Sequence, residues 1–186
     1  MINLRDDSGE VGEIVITVIM SIVAMLIFTL YPTLTTAEQN EKVTQLAVQK
    51  ITSDLANGAA KKGTITRGDY DQTVQQLSAT GNTFDIQIEI QHLDTNMGDK
   101  TAVSSGSLVG NTDTYSTFLS SIQSNPGYTS GKGYPLKKGD VVIVTVKNTN
   151  TTIAQLLRRF FYQITGQGTY TIGATATAMV VNNGGY

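Results

Sequence analysis

From Ile14 to Tyr31 the chain reads IVITVIMSIVAMLIFTLY, eighteen residues without a charge, and beyond Pro32 the apolar positions become periodic instead of continuous. As a helix rising about 1.5 Å per residue the run spans roughly 27 Å, close to the hydrocarbon thickness of a bilayer. After Pro32, the residues Val43, Leu46, Ala47, Lys50, Ile51, Leu55 and Ala56 recur at helical spacing. That spacing predicts one stripe, with Glu38, Glu41, Lys42 and Gln45 largely outside it. A single helix of about 45 residues, kinked near Pro32, joins the two halves. Asn57-Gly58 is the expected stop, because either residue tolerates the left-handed conformation that closes a helix.

Past that stop the period changes. Asp69 to Ala79, DYDQTVQQLSA, reads as a short helix opened by an Asp-x-x-Gln capping box, with Tyr70, Val74 and Leu77 on one side. TFDIQIEIQHLD alternates strictly: Phe84, Ile86, Ile88 and Ile90 oppose Asp85, Gln87, Glu89 and Gln91, the pattern of a half-buried strand. KKGDVVIVTVKN is apolar at consecutive positions from Val141 to Val146, which predicts a mid-sheet strand covered on both faces. In TYTIGATATAMVV, Tyr170, Ile172, Ala174, Ala176, Ala178 and Val180 share a face whose small residues allow a helix to approach closely. Between these two strands, TTIAQLLRRFFYQI sets Ile153, Leu156, Leu157, Phe160, Phe161 and Ile164 at helical spacing, beside Arg158 and Arg159. It is either a core helix against the sheet or a surface that docks on a neighbouring subunit or a membrane. From Thr95 to Gly139 the chain is polar and loop-like, and within it TYSTFLSSI offers two helical turns through Tyr115, Phe118, Leu119 and Ile122.

The expected fold class is α+β: a long N-terminal helix, apolar in its first half and amphipathic in its second, packed on a small antiparallel β-sheet with short additional helices. Three parts follow from the pattern: a leader-like peptide over 1–13, the long helix over 14–57, and a head domain over 58–186.

Composition narrows the function. Charged residues make up 15% of the 186 and the net charge is -2, without the basic patch that direct nucleic-acid binding needs. The absence of cysteine removes disulfides, thiol nucleophiles and zinc-thiolate sites together. No paired carboxylates, activated nucleophile or phosphate-cradling glycine loop occurs in a suitable context, so neither an enzyme nor a cofactor is expected.

The flanks of the apolar run separate its uses. MINLRDDSGEVGE sets Arg5 against Asp6, Asp7, Glu10 and Glu13, unlike the basic start of a secretory signal, although Thr35-Thr36-Ala37 is a small-residue cleavage site. A permanent anchor gains little positive-inside bias from the same residues. A third use is a helix that later packs against copies of itself.

Gly9-Glu10 and Gly12-Glu13 precede the apolar helix, which continues through Pro32 into an amphipathic half and a small sheet, and the chain ends KGDVVIVTVKN, LLRRFF, GTYTIGATATAMV. This order resembles type IV pilins and pseudopilins, particularly those of the tight-adherence and conjugation-linked branches. The resemblance implies a structural subunit that self-assembles through its N-terminal helix into an extracellular filament. It implies storage in the cytoplasmic membrane before assembly, a homopolymer afterwards, and machinery comprising an ATPase, a platform protein and a prepilin peptidase. Ser8, Gly9 and Glu10 would then be the leader-processing residues, and either an intact Met1 or a cut at Gly9 gives the mature start. Glu13 would be the assembly charge, paired with a neighbour's amino terminus or its Arg5. Ile14, Val18, Ile22, Met25, Phe28, Tyr31 and Pro32 would lie in the filament core. Alternatives are a minor pseudopilin that primes assembly and a permanently anchored surface protein that binds a ligand or scaffolds an envelope complex. For Glu13 the plain alternative is a first-turn acid favoured by the helix dipole.

Other motifs are weaker. Asp94-Thr95-Asn96-Met97-Gly98-Asp99 has the oxygen spacing of a calcium loop but no glutamate to complete it, so a turn and no metal is expected. Arg67-Gly68-Asp69 spells an adhesion tripeptide, yet Asp69 is already taken as a helix cap. The single histidine, His92, reads as a satisfied structural residue. Asn150-Thr151-Thr152 is a glycan acceptor pattern in sequence.

Overall fold

A computed structural model describes residues 7–93, 114–162 and 171–182. Arg5, the Asp94 to Asp99 loop, Ile164 and Tyr170 lie outside them. The fold is α+β, a long apolar N-terminal helix packed on an antiparallel sheet with short helices.

Helix α1 runs from Asp7 to Lys62, so it begins within the peptide expected to be a leader and ends five residues beyond Asn57. It stays helical through Pro32. The stop is Gly63, at φ 69°, whose N–H bonds Ala59 O at 2.9 Å and closes the last turn. Asn57-Gly58 does not end the helix because Ala59 and Ala60 are buried just beyond it and the turn is held by their packing. A helix of 56 residues is about 84 Å long, far more than the head can cover.

Strand β1 (Thr64–Ile65) follows, then α2 (Arg67–Ser78), β2 (Phe84–Leu93), β3 (Thr114–Phe118), α3 (Leu119–Gln123), α4 (Pro126–Thr129), β4 (Tyr134–Pro135), β5 (Val141–Asn148), α5 (Ile153–Tyr162) and β6 (Gly173–Met179). The main sheet has the order β3-β2-β5-β6, antiparallel throughout, and β1 pairs with β4 as a separate ribbon. Thr114 to Phe118 forms an edge strand where two helical turns were expected, since pairing with β2 satisfies its backbone; only Leu119 onward is helical.

The C-terminal part of α1 lies on one face of the sheet, chiefly over β6 and β5. Alanines 174, 176 and 178 are what let it approach β6. Val48, Leu55, Ala56 and Ala59 meet Ile86, Ile88, Ile90, Val142, Val144 and Val146 in a single buried cluster. The expected stripe is therefore split: Val43 and Leu46 point away from the sheet and are each 66% exposed. The opposite sheet face has no helix over it among the described residues. Val141 and Ile143 are half-buried there because the register flanks Ile143 with Glu89 and Thr177, and Val141 with Gln91 and Met179. Side-by-side neighbours do what a second layer was expected to do.

Capping boxes open α2 and α5. Thr66, rather than Asp69, caps α2: its Oγ1 accepts from Asp69 N at 3.1 Å, and Thr66 N donates back to Asp69 Oδ2 at 3.2 Å. Helix α5 starts in the same way, with Gln155 N donating to Thr152 Oγ1 at 3.2 Å and Thr152 N to Gln155 Oε1 at 3.3 Å. It rests on α1 rather than across the sheet.

Candidate functional site

The dominant surface is the front of α1. From Val11 to Tyr31 its large apolar side chains other than Leu30 are exposed, Phe28 to 84%, and its most apolar eighteen-residue window is 0% buried by the rest of the chain. Ile14, Val18, Ile22, Met25, Phe28, Tyr31 and Pro32 are all exposed on it, as is Glu13. Ser8, Gly9 and Glu10 lie in its first turn. The helix is long and apolar enough to cross a membrane.

Its few hydroxyls suit an apolar surrounding. Thr17 donates to Glu13 O at 2.8 Å, Ser21 to Thr17 O at 2.7 Å and Thr29 to Met25 O at 2.9 Å. Each polar proton is thus satisfied within the helix, which is the condition for entering lipid or a packed bundle. Past Tyr31 the pattern continues, with Thr33, Thr35 and Thr36 bonding the carbonyls four residues back.

Where α1 enters the head, two side chains that sequence spacing set outside the apolar stripe turn inward. Glu41 is 5% exposed and accepts from the Thr152 hydroxyl. Gln45 grips the backbone of Gly173, donating from Nε2 to its carbonyl at 2.6 Å and accepting from its N–H at 3.0 Å. The head supplies hydrogen bonds to both ends of the Gln45 amide and to Glu41 Oε1, which offsets part of the cost of burying them. Among the described side chains of α1 the buried carboxylate is Glu41, while Glu13 is exposed. A readable signal existed in Thr152-x-x-Gln155, which fixes the hydroxyl that receives Glu41.

Beside Glu41 an open groove of about 640 Å³ separates α1 from the base of the head. Pro32, Thr36 and Asn40 form one wall; Asn82, Asn150 and Ile153 belong to the other. Asn150 is committed within it, accepting from Thr83 N at 2.9 Å and donating to Asn82 Oδ1 at 3.1 Å. Its amide nitrogen is therefore engaged, and Thr152 is buried, an arrangement that disfavours glycosylation at this pattern.

A second polar cluster lies at the far end of β2. His92 Nδ1 donates to the Asp140 carboxylate at 2.9 Å, and Nε2 is hydrogen-bonded to Thr117 Oγ1 at 3.1 Å. The ring stacks on Tyr115 with centroids 4.8 Å apart. Asp140 also accepts from Lys137 N at 2.8 Å. Acid, imidazole and hydroxyl are joined by hydrogen bonds, and with His92 and Asp140 buried they tie β2, β3 and the turn before β5 together. Arg67-Gly68-Asp69 is likewise structural, since it forms the first turn of α2 and Asp69 pairs with Lys62 at 2.5 Å. Burial raises the Asp69 carboxyl, and the Lys62 ammonium with the Thr66 hydroxyl and N–H outweigh it, holding the group below the ordinary carboxylate range.

What these features define is an α+β head carried on a candidate membrane-spanning helix. No family model, curated protein or solved structure matches the chain.

Proposed function

We propose that this chain is the structural subunit of a helical filament, stored in the membrane by the front of α1 and assembled by packing that helix against copies of itself. The observation that carries this reading is how far the exposed apolar surface extends. Val43 and Leu46 lie on α1 facing away from the head, as exposed as the residues of the apolar run. From Val11 to Leu46 the helix rises about 52 Å, more than the roughly 40–45 Å of a bilayer with its headgroups. Lipid can cover Val11 to Tyr31, but Leu46 sits about 22 Å further on, in water. Neighbouring helices of the same chain, staggered along a common axis, cover both.

A permanent anchor would leave Val43 and Leu46 in water, whereas packed copies of α1 would cover them. Contacts between unlike faces of identical copies propagate as an open helix, with sheet and loops outside. The resemblance to type IV pilins supports an ATP-driven extraction step, with Glu13 compensating a neighbour's amino terminus or Arg5 inside the bundle.

The test is electron microscopy of material sheared from the cell surface, with its protein identified by mass spectrometry. Long filaments made chiefly of this chain are expected. Recovery only as detergent-soluble monomer would refute the reading.

A further inference from the structure

We propose that α5 is a membrane-interface helix: before assembly its exposed Ile153 and Leu156 face is seated among the headgroups and upper acyl chains of the bilayer that α1 crosses. The proposal rests on the membrane storage of α1 and adds a second lipid contact to it. Ile153 is 74% and Leu156 63% exposed, whereas Ala154 and Gln155 between them are buried. At Ile153 and Leu156 the helix therefore turns apolar side chains out, and none of the described residues covers them.

Position along α1 decides what covers that side. Ile153 and Ala154 line the same groove as Pro32, Thr33, Thr36 and Ala37, the residues that directly follow the uncharged run. Those residues stand about 2–9 Å above Tyr31, spanning the headgroup layer of roughly 5–8 Å when Tyr31 ends the hydrocarbon. Interfacial helices bury their apolar face at this depth. Arg159, exposed in the last turn of α5, supplies a cation for lipid phosphates. The Thr152 bond to Glu41 ties the start of α5 to α1 about 15 Å above Tyr31, and from there Ile153 reaches down to the groove beside Pro32.

Because the chain has no cysteine, single spin labels report without background. Ile22→Cys, Ile153→Cys, Leu156→Cys and Thr177→Cys variants of the full chain would be labelled in vesicles of phosphatidylcholine and phosphatidylglycerol. Collision with oxygen, which partitions into lipid, is then compared with collision with a water-soluble nickel chelate. An oxygen-to-nickel ratio several-fold higher at 153 and 156 than at 177, on the exposed sheet face, is the expected result. Ratios at 153 and 156 equal to that at 177, with Ile22 in lipid, would overturn the proposal and leave the span intact. Ile22 in water would instead remove the membrane storage itself. Shielding of 153 and 156 in filaments but not in vesicles would assign the face to a second copy and also overturn the proposal.

Discussion

Replacing Val43 with Thr and Leu46 with Gln separates assembly from folding, because both side chains project from α1 away from the core. Full burial of a Val or Leu side chain is worth about 1.5–3 kcal/mol. With 66% of each residue exposed in the single subunit, about 1–2 kcal/mol per side chain is left to be gained when another helix covers it. The double variant should lose roughly 2–4 kcal/mol per added subunit, and at about 1.4 kcal/mol per tenfold the concentration needed to sustain polymer rises at least thirty-fold. Head stability should move by no more than about 0.5 kcal/mol, the usual effect of exposed substitutions.

Two measurements on one variant make the comparison: filament yield from sheared cells, and thermal unfolding of the detergent-solubilised chain. Loss of filament with unchanged unfolding is the expected pair. Undiminished filaments of ordinary thermal and detergent resistance would refute the argument that lipid alone cannot account for this surface. Unfolding that falls in parallel with yield would show that Val43 and Leu46 serve the head instead.

Asp140→Ala removes the acceptor of both His92 Nδ1 and Lys137 N, at a cost of about 2–4 kcal/mol, and should lower the melting temperature by about 5–15 °C by circular dichroism. Asp69→Asn should cost about 1 kcal/mol at pH 7 through its cap and its Lys62 pair. Since its folded pKa lies below the unfolded value of about 3.9, that contribution is complete above pH 4 and disappears as pH falls through the folded value. Stability of the wild type and the variant should therefore converge as pH falls through the folded value, and a gap that stays constant throughout the acid titration would contradict the assignment. Gly63→Ala forces a side chain into φ 69° and should destabilise by about 1–2 kcal/mol in denaturant unfolding. Gln45→Ala leaves the N–H and carbonyl of Gly173 without that partner, and should increase amide exchange at Gly173 before it affects the rest of β6.

Elements with a clean period were legible in the chain. Strict alternation from Phe84 to Ile90 gave β2 its buried face, and the alanines of β6 announced the close approach of α1. Errors fell where two local signals competed. Asp69-x-x-Gln72 and Thr66-x-x-Asp69 are overlapping capping patterns, and the earlier one wins because Thr66 follows the tight turn at Gly63. Asn57-Gly58 looks like a terminus only if the burial of Ala59 and Ala60 is unknown. Periodicity also misassigned α1's faces, since Val43 and Leu46 fit an apolar stripe as well as Val48 does. Which of them meets the sheet is decided by Glu41 and Gln45, whose partners Thr152 and Gly173 come from more than a hundred residues away. Local spacing carries no information about such distant hydrogen bonds.

That pair of polar contacts also explains how one helix can serve two surroundings. A wholly apolar α1 would leave the head free to choose its rotation about the helix, because burial alone is indifferent to small slips of register. Glu41 on Thr152 and Gln45 on Gly173 are directional, lie one turn apart, and sit where the exposed front of α1 meets the folded head. They fix which side of α1 faces the sheet, and by difference fix Val43 and Leu46 on the side left for a neighbour. Under the filament reading, the outward face is thus determined before any second copy arrives. Moving the helix from lipid to protein would replace what surrounds it without remaking the head.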